Sequence, residues 1–229
     1  MGKGNIFIAT QRRFTRVALL LLLALLLAPG AGWGQYVGDY RTKVTGALNW
    51  SDPSNWERCV TAGTWTGAVS TDYPGQNAGA GTVTIQNGAN VTLDVSPANS
   101  IGSLVLSNGG ANTEVKIDNY TLSVSGVVSV NSNTNNRNKF ITITTGTLNA
   151  GSVVLTGTGT QDAFIQVGNG GNINVSGNVS LGAGATNGAY ILFSGGGTLS
   201  LAGSLSGIGL TSASGGGSNP TSGTVNYSS

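Results

Sequence analysis

The sequence predicts an all-β protein built as a right-handed parallel β-helix, a solenoid of coils about 25 residues long with an N-terminal Trp-rich capping region. Composition is the first indication, since 38 of 229 residues are glycine, 39% are hydrophobic and only 8% are charged. Disordered chains combine low hydrophobicity with high charge, so the abundant Val, Ile and Leu indicate a folded chain. Small and β-branched residues separated by Gly, Asn and Ser are typical of short strands joined by tight turns.

An internal repeat is the second indication. An apolar residue recurs at steps of 25 or 26 residues, at Leu122, Leu148, Ile173 and Leu199. A glycine follows each of them at the same step, at Gly126, Gly151, Gly177 and Gly203. An aromatic residue opens a further run in three consecutive repeats, at Phe140, Phe164 and Tyr190. An antiparallel sandwich also has many short strands, but the regular spacing favours a solenoid.

Each repeat contains three short runs of alternating character, for example FIQV, NINV and NVSL between residues 164 and 181. Alternation puts one apolar face on each strand, and stacking the repeats buries those faces in a continuous core. No segment after residue 34 shows a convincing helical period. Within this coil we predict six inward-facing residues, namely Phe164, Val167, Ile173, Val175, Val179 and Leu181.

Residues 1–34 are predicted to be a cleaved signal peptide. A basic segment with three arginines precedes the apolar run Val17–Ala28, and small residues follow it, which is the pattern of a secretory signal cleaved before Gln35. A membrane anchor is the alternative, although the apolar run is shorter than the roughly 20 residues that span a bilayer. The prediction is therefore a secreted or cell-surface protein, exported through this signal and not inserted in a membrane after cleavage.

Three regions follow. Residues 35–86 form a Trp-rich N-terminal cap region, residues 87–210 form the solenoid repeats, and residues 211–229 read as a Gly/Ser-rich linker and the start of a truncated further module. Signal cleavage leaves six basic and eight acidic residues, a net charge of −2. A basic surface for nucleic acid is therefore not expected.

The sequence predicts no catalytic, cofactor-binding or metal-binding residue. Histidine is absent, which excludes His-dependent triads, and the single Cys59 excludes an intrachain disulfide and is expected to be a small, partly buried hydrophobe. The alternating charges of Glu114, Lys116 and Asp118 are interpreted as one solvent-facing strand face. A polar bulge at residues 131–139, which contains Arg137 and Lys139, is interpreted as an exposed loop.

Thr142, Thr144 and Thr145 are suggestive of a threonine array of the kind that binds ice. The matching positions in the next repeat are Gln166, Gly168 and Asn169. Because the threonines do not continue from coil to coil, an ice-binding array is not predicted.

The region before the repeats carries a resemblance to a known class of proteins. Asn49-Trp50-Ser51-Asp52-Pro53 and Asn55-Trp56, followed by Val83-Thr84-Ile85 and Val91-Thr92-Leu93-Asp94, resemble the start of large secreted, adhesin-like parallel β-helix surface proteins of the Bacteroidetes kind. Many of those proteins end in a type IX secretion sorting domain. No such domain is visible here, so the resemblance implies an N-terminal fragment of a longer protein that continues into further modules. It carries over no catalytic residue.

The tryptophans Trp50, Trp56 and Trp65 have two interpretations. Exposed rings would stack on sugars or contact a partner, whereas buried rings would form an apolar plug that closes the first coil. Solenoid ends need a cap that prevents pairing between strand edges. The plug is the favoured interpretation.

These observations predict an exported structural or adhesive surface module without catalysis, whose partners are glycans or neighbouring surface proteins. The alternative is a non-catalytic or incomplete part of a pectin-lyase-like carbohydrate-active enzyme. A cluster of carboxylates on adjacent coils would distinguish the enzyme. The acidic residues Asp94, Asp118 and Asp162 fall in different parts of their coils, so stacking is not expected to bring them together.

Overall fold

The computed structural model describes residues 35–67, 72–106, 111–132, 137–157, 161–182, 188–207, 210–212 and 223–228. The predicted signal peptide and most of the predicted linker lie outside these residues. The described part of the chain consists of strands and turns, with a single 3₁₀ turn at Pro53–Asn55. Within it, no helix is long and apolar enough to cross a membrane.

Nineteen strands are described. Their bounds are β1 Tyr40–Thr42, β2 Gly46–Asn49, β3 Trp56–Thr61, β4 Thr64–Gly67, β5 Thr82–Ile85, β6 Ala89–Leu93, β7 Ser103–Leu106, β8 Thr113–Ile117, β9 Thr121–Ser132, β10 Lys139–Ile143, β11 Thr147–Gly157, β12 Ala163–Val167, β13 Asn172–Val175, β14 Val179–Gly182, β15 Ala189–Phe193, β16 Thr198–Leu201, β17 Leu205–Ser206, β18 Leu210–Ser212 and β19 Thr224–Tyr227.

The strands form two sheets. The twelve-stranded sheet has the order β19-β16-β13-β11-β9-β7-β5-β1-β3-β4, with β14 beside β11 and β17 beside β14. The seven-stranded sheet has the order β18-β15-β12-β10-β8-β6-β2. The chain alternates between the sheets, and the described pairings are parallel except for β1 with β3 and β3 with β4. This arrangement is a β-solenoid, as predicted.

The strand register confirms the predicted repeat. Leu122 pairs with Leu148, Leu148 with Ile173, and Ile173 with Leu199. The same row continues to Val225 in β19, so the segment predicted to open a further module adds one more strand to the same sheet. On the seven-stranded sheet, Phe140, Phe164 and Tyr190 also occupy one row.

The sheets also begin earlier than the predicted repeat region. β1 pairs in parallel with β5, and β2 pairs in parallel with β6. These strands lie within residues 35–86, so the first coil is already part of the solenoid. That coil is long, with 43 residues from Leu48 to its neighbour Val91, because the β3–β4 hairpin and the segment after it are inserted.

Alternation along each strand builds the core. Buried residues alternate with more exposed ones in most strands of the repeats, as in the pattern of β12 and β15. Five of the six residues predicted to face inward are buried, namely Val167, Ile173, Val175, Val179 and Leu181. The prediction for Phe164 is wrong: this ring is half-buried on the outer face, because Ala163, Ile165 and Val167 are the buried residues of β12.

The recurring glycines lie at a corner of the twelve-stranded sheet, where β9 and β11 bend. A β-carbon on Gly177 would lie 2.6 Å from the carbonyl oxygen of Gly151, and one on Gly126 would lie 2.6 Å from that of Gly102. The successive backbones therefore approach too closely for a side chain. We call Gly102, Gly126, Gly151, Gly177 and Gly203 the glycine column. At this corner β11 has one residue fewer than β9, so the spacing between equivalent residues of successive coils changes between 25 and 26.

The β3–β4 hairpin covers the N-terminal edge of the twelve-stranded sheet. Its antiparallel pairing ends the parallel series at β1. Ion pairs hold it in place: Arg41 contacts Glu57 at 2.5 Å and Arg58 contacts Asp72 at 2.6 Å. A charged hairpin with a register irregularity at a sheet edge opposes pairing with a further strand, so it has the features of a cap.

Candidate functional site

A groove runs along the outside of the solenoid at the bend of the twelve-stranded sheet. Its volume is about 510 Å³, and it crosses successive coils. We call it the axial groove. One side carries a row of polar side chains at equivalent positions of successive coils, Ser123, Asn149, Asn174 and Ser200.

The opposite side of the axial groove is made by small residues that belong to the glycine column or lie next to it. Ser125, Gly151, Ser176 and Ala202 follow one another there, and Val124, Ala150 and Val175 lie between the two sides. The sequence produces this concavity because the glycine column removes side chains from the corner while alternation turns the Ser and Asn side chains outward. The result is a concave surface that extends along the solenoid axis.

The polar row is connected by side-chain hydrogen bonds. The amide nitrogen of Asn149 donates to the hydroxyl of Ser123 at 3.2 Å, and that of Asn174 donates to the carbonyl oxygen of Asn149 at 2.9 Å. An asparagine amide offers two N–H donors and two acceptor lone pairs, so each residue retains capacity for a ligand. The connections also orient the amides in a common direction.

The electrostatic character of the axial groove is neutral. Its lining residues are serine, asparagine, valine, alanine and glycine, none of which carries an ionisable side chain. Such a surface offers hydrogen bonds and van der Waals contacts but no charged group. The groove was not predicted from the sequence, because the repeat aligns its Ser and Asn positions but does not reveal the bend that makes this surface concave.

The charged face of the seven-stranded sheet lies elsewhere. Lys116 contacts Asp118 at 3.1 Å, and the hydroxyls of Thr142 and Thr144 donate to Glu114 at 2.7 Å and to Asp118 at 2.6 Å. The hydrogen bond from Thr144, followed by the bond and charge of Lys116, lowers the pKa of Asp118. These side chains satisfy one another at a partly exposed surface, in agreement with a solvent-facing strand face.

The threonines considered for ice binding belong to this network. Thr142 pairs with Gln166 and Gln166 with Leu192, which are the positions expected from the repeat. The hydroxyls of Thr142 and Thr144 donate to carboxylates of the preceding coil, and that of Thr145 donates to the backbone carbonyl of Asp118 and the side-chain oxygen of Asn119.

Three aromatic rings stack on the outer face of the same sheet. The ring centroids of Phe140 and Phe164 are 4.9 Å apart with an interplanar angle of 1°, and those of Phe164 and Tyr190 are 5.1 Å apart at 6°. Rings that stack face to face present their edges outward, whereas stacking on a sugar requires an exposed face. The stack therefore stabilises neighbouring coils, and both faces of the middle ring, Phe164, are covered by its neighbours.

The aromatic stack ends in a polar contact. The hydroxyl of Tyr190 donates to the carboxylate of Asp162 at 2.9 Å. Burial, followed by this bond to a negative group, raises the pKa of Tyr190. Asp162, isolated in the sequence, thus supports the aromatic stack.

Two of the tryptophans predicted as candidate contacts are buried. Trp50 and Trp56 are 0% exposed, with ring centroids 5.0 Å apart in an edge-to-face arrangement. The indole nitrogen of Trp56 donates to the carbonyl of Trp50, and that of Trp50 donates to the carbonyl of Pro74. Buried rings cannot stack on a sugar from solvent, so the glycan-contact interpretation does not hold for these two residues. Both belong to the core beneath the cap.

Trp65 is half-buried in the hairpin. The guanidinium of Arg41 lies 4.3 Å from its ring centroid, a cation–π contact that occupies one face of the ring. Its indole nitrogen is buried and has no hydrogen-bond partner among the described residues. This contact joins the hairpin to β1, which contains Arg41.

The interpretation of residues 131–139 as an exposed loop is wrong for Lys139. It is 1% exposed at the start of β10, and its ammonium donates to the carbonyl of Ala111. Burial, followed by the charge of Arg137, lowers its pKa. Lys139 occupies the same row as the buried residues Thr113, Ala163 and Ala189. The alternation of apolar residues in β10 therefore indicates that Lys139 faces inward.

The remaining candidates for chemistry are dispersed. Cys59 is fully buried, and its thiol donates to the carbonyl of Thr61 at 3.1 Å. Asp94 accepts hydrogen bonds from the backbone and hydroxyl of Ser51. Among the described residues, no group of three or more Asp, Glu or Cys side chains is arranged to hold a metal ion.

Searches of protein families, of curated proteins and of solved structures gave no match.

Proposed function

We propose that this chain is an exported, non-enzymatic β-solenoid that acts as a structural or adhesive module at the cell surface. The observation that carries the proposal is the axial groove, an uncharged concave surface repeated in register over successive coils. A repeated surface suits attachment, because many weak contacts to a polymer or a partner add along the solenoid. The signal-like segment and the resemblance to adhesin-like surface proteins of the Bacteroidetes kind support export to the surface.

The composition of the axial groove supports binding over bond cleavage. General acid–base catalysis requires a titratable group within hydrogen-bond reach of the reacting bond. The groove instead offers Ser and Asn side chains, while Asp94, Asp118 and Asp162 take part in separate structural contacts. For these reasons the polysaccharide-cleaving alternative ranks second.

The test has two arms. The purified protein is applied to a glycan array and to surface extracts of a bacterium that exports it, and bound partners are identified. The same preparation is incubated with the polysaccharides it binds, and newly formed reducing ends are measured. Binding without release of sugars is expected. Time-dependent release that scales with protein concentration would contradict the proposal, as would the absence of binding in both formats.

Export is tested separately. The full chain is expressed in a Gram-negative host, and the N-terminal residue of the protein outside the cytoplasm is determined by mass spectrometry. The expected first residue is Gln35. A protein that stays in the cytoplasm with residues 1–34 intact would contradict the export part of the proposal.

A further inference from the structure

We propose that the ligand of the axial groove is a neutral, linear polysaccharide that lies along the solenoid axis. This inference rests on the proposed adhesive function and specifies its ligand and its site.

Charge indicates a neutral ligand. An anionic polysaccharide is normally held by arginine or lysine, or by calcium bound to carboxylates. The groove lining contains neither kind of residue. The charged residues Glu114, Lys116 and Asp118 lie in or directly after β8 of the other sheet, where Lys116 contacts Asp118 and the hydroxyls of Thr142 and Thr144 donate to the two carboxylates. Hydroxyl groups are the ligand chemistry that matches the surface.

Spacing indicates an axial orientation. Neighbouring strands lie about 4.8 Å apart, so equivalent side chains recur at that interval along the groove. Ser123, Asn149, Asn174 and Ser200 occupy four consecutive coils, which gives a polar row about 14 Å long. A linear sugar chain presents hydroxyls at a comparable interval, so consecutive sugars meet equivalent partners.

The hydrogen bonds favour a sugar over a peptide. A peptide that adds to a sheet needs free backbone N–H and C=O groups at a strand edge. In the groove those groups already pair between coils, as in the bonds from Ser125 to Ile101 and from Ser176 to Ala150. The outward Ser and Asn side chains both donate and accept, as sugar hydroxyls do, while the small opposite side leaves room for C–H faces.

Affinity electrophoresis with named polysaccharides tests the proposal. Hydroxyethylcellulose, galactomannan and xylan serve as neutral probes, and polygalacturonate serves as the anionic probe. We expect at least one neutral probe to retard the protein, with little change between 50 mM and 500 mM NaCl, since screening weakens only charged contacts. The protein should migrate with polygalacturonate as it does without a probe.

Two variants test whether the ligand binds in the axial groove. Asn174→Ala removes an exposed amide from the polar row, and loss of one hydrogen bond is expected to weaken binding about two- to tenfold. Ser176→Arg fills the opposite side and should abolish retardation. Gln166→Ala is the matched control, because its amide also bridges coils, to Ser194 at 3.2 Å, but on the other sheet. It should bind as the unmodified protein does. Thermal unfolding verifies that all variants are folded.

The outcomes separate this inference from the proposed function. Neutral-probe binding that is weakened by Asn174→Ala and not by Gln166→Ala supports both. Binding that Asn174→Ala and Ser176→Arg leave unchanged overturns the groove assignment, while adhesion at another surface stands. Salt-sensitive binding to polygalacturonate overturns the neutral-ligand assignment. Capture of a surface protein with no polysaccharide bound overturns the inference and leaves the adhesive proposal in place.

Discussion

The aromatic stack makes a quantitative prediction about the stability of the solenoid. Phe164 is the middle ring, with Phe140 on one side at 4.9 Å and Tyr190 on the other at 5.1 Å. Each such aromatic pair contributes about 0.5–1.5 kcal/mol beyond the area it buries. Phe164→Leu keeps an apolar side chain but removes two pairs, whereas Phe140→Leu removes one.

The expected losses in the free energy of unfolding follow from that count. Phe164→Leu should lose about 1–3 kcal/mol and Phe140→Leu about 0.5–1.5 kcal/mol from stacking. Loss of apolar area on replacing Phe by Leu is similar at the two half-buried positions, so the difference between the variants reports the second pair. Urea unfolding followed by far-UV circular dichroism measures both, with the m-value as a check that the same surface unfolds.

Equal losses for the two variants would refute the stacking argument. A reversed order would refute it more strongly, because it would place Phe140 and not Phe164 at the centre of the interaction. Phe140→Leu combined with Phe164→Leu provides a further check. The double variant should lose less than the sum of the singles, since one pair is counted in both.

Two further predictions concern backbone packing and burial. Gly177→Ala should destabilise the protein by about 1–3 kcal/mol, because the added β-carbon would lie 2.6 Å from the carbonyl oxygen of Gly151. Gly188→Ala is the control and should change stability little, because its β-carbon would meet nothing within 4 Å. Chemical denaturation measures both variants, and equal losses of stability would contradict close packing in the glycine column. Burial lowers the pKa of Lys139 in the folded protein below its ordinary value of 10.5. Between the folded-state and the unfolded-state pKa the unfolded chain binds more protons, so the stability of the protein should rise with pH in that window. Melting temperatures from pH 8 to 10 should rise less steeply for Lys139→Met, and an unchanged slope would contradict the burial of a charged Lys139.

The repeat made most of the fold predictable. A period of 25 or 26 residues with a constant apolar position fixed the row from Leu122 to Leu199, and the structure has the same pairs. Such a row is predictable because stacked strands must place equivalent residues next to one another. The extension of the sheets to β2 at one end and β19 at the other was not predicted, since a 43-residue first coil and the Gly/Ser-rich segment after residue 210 interrupt the period.

The phase of the strands was predictable in principle but was assigned wrongly at Phe164. Successive side chains alternate between faces, so residues 164 and 167 cannot both point inward. Ile165 and Val167 set the phase of β12, and in β10 Ile141 and Ile143 set it in the same way. That phase puts Lys139 inside, against the strong tendency of lysine to be exposed. The alternation of a strand therefore determines which face a residue occupies, even when its side chain is of a type that is usually exposed.

The axial groove depends on a feature that the repeat alone does not reveal, the bend at the glycine column. The same glycines that let successive backbones approach at the corner also leave the outer surface there without side chains, so fold and groove have one cause. An alanine at Gly177 would therefore act twice, since it would push against the carbonyl of Gly151 beside the residues that line the groove. A reduced affinity of Gly177→Ala for a neutral polysaccharide, with the Gly188→Ala control unaffected, would connect the corner directly to binding. Unchanged affinity in a destabilised Gly177→Ala protein would instead show that the glycine column supports the fold alone.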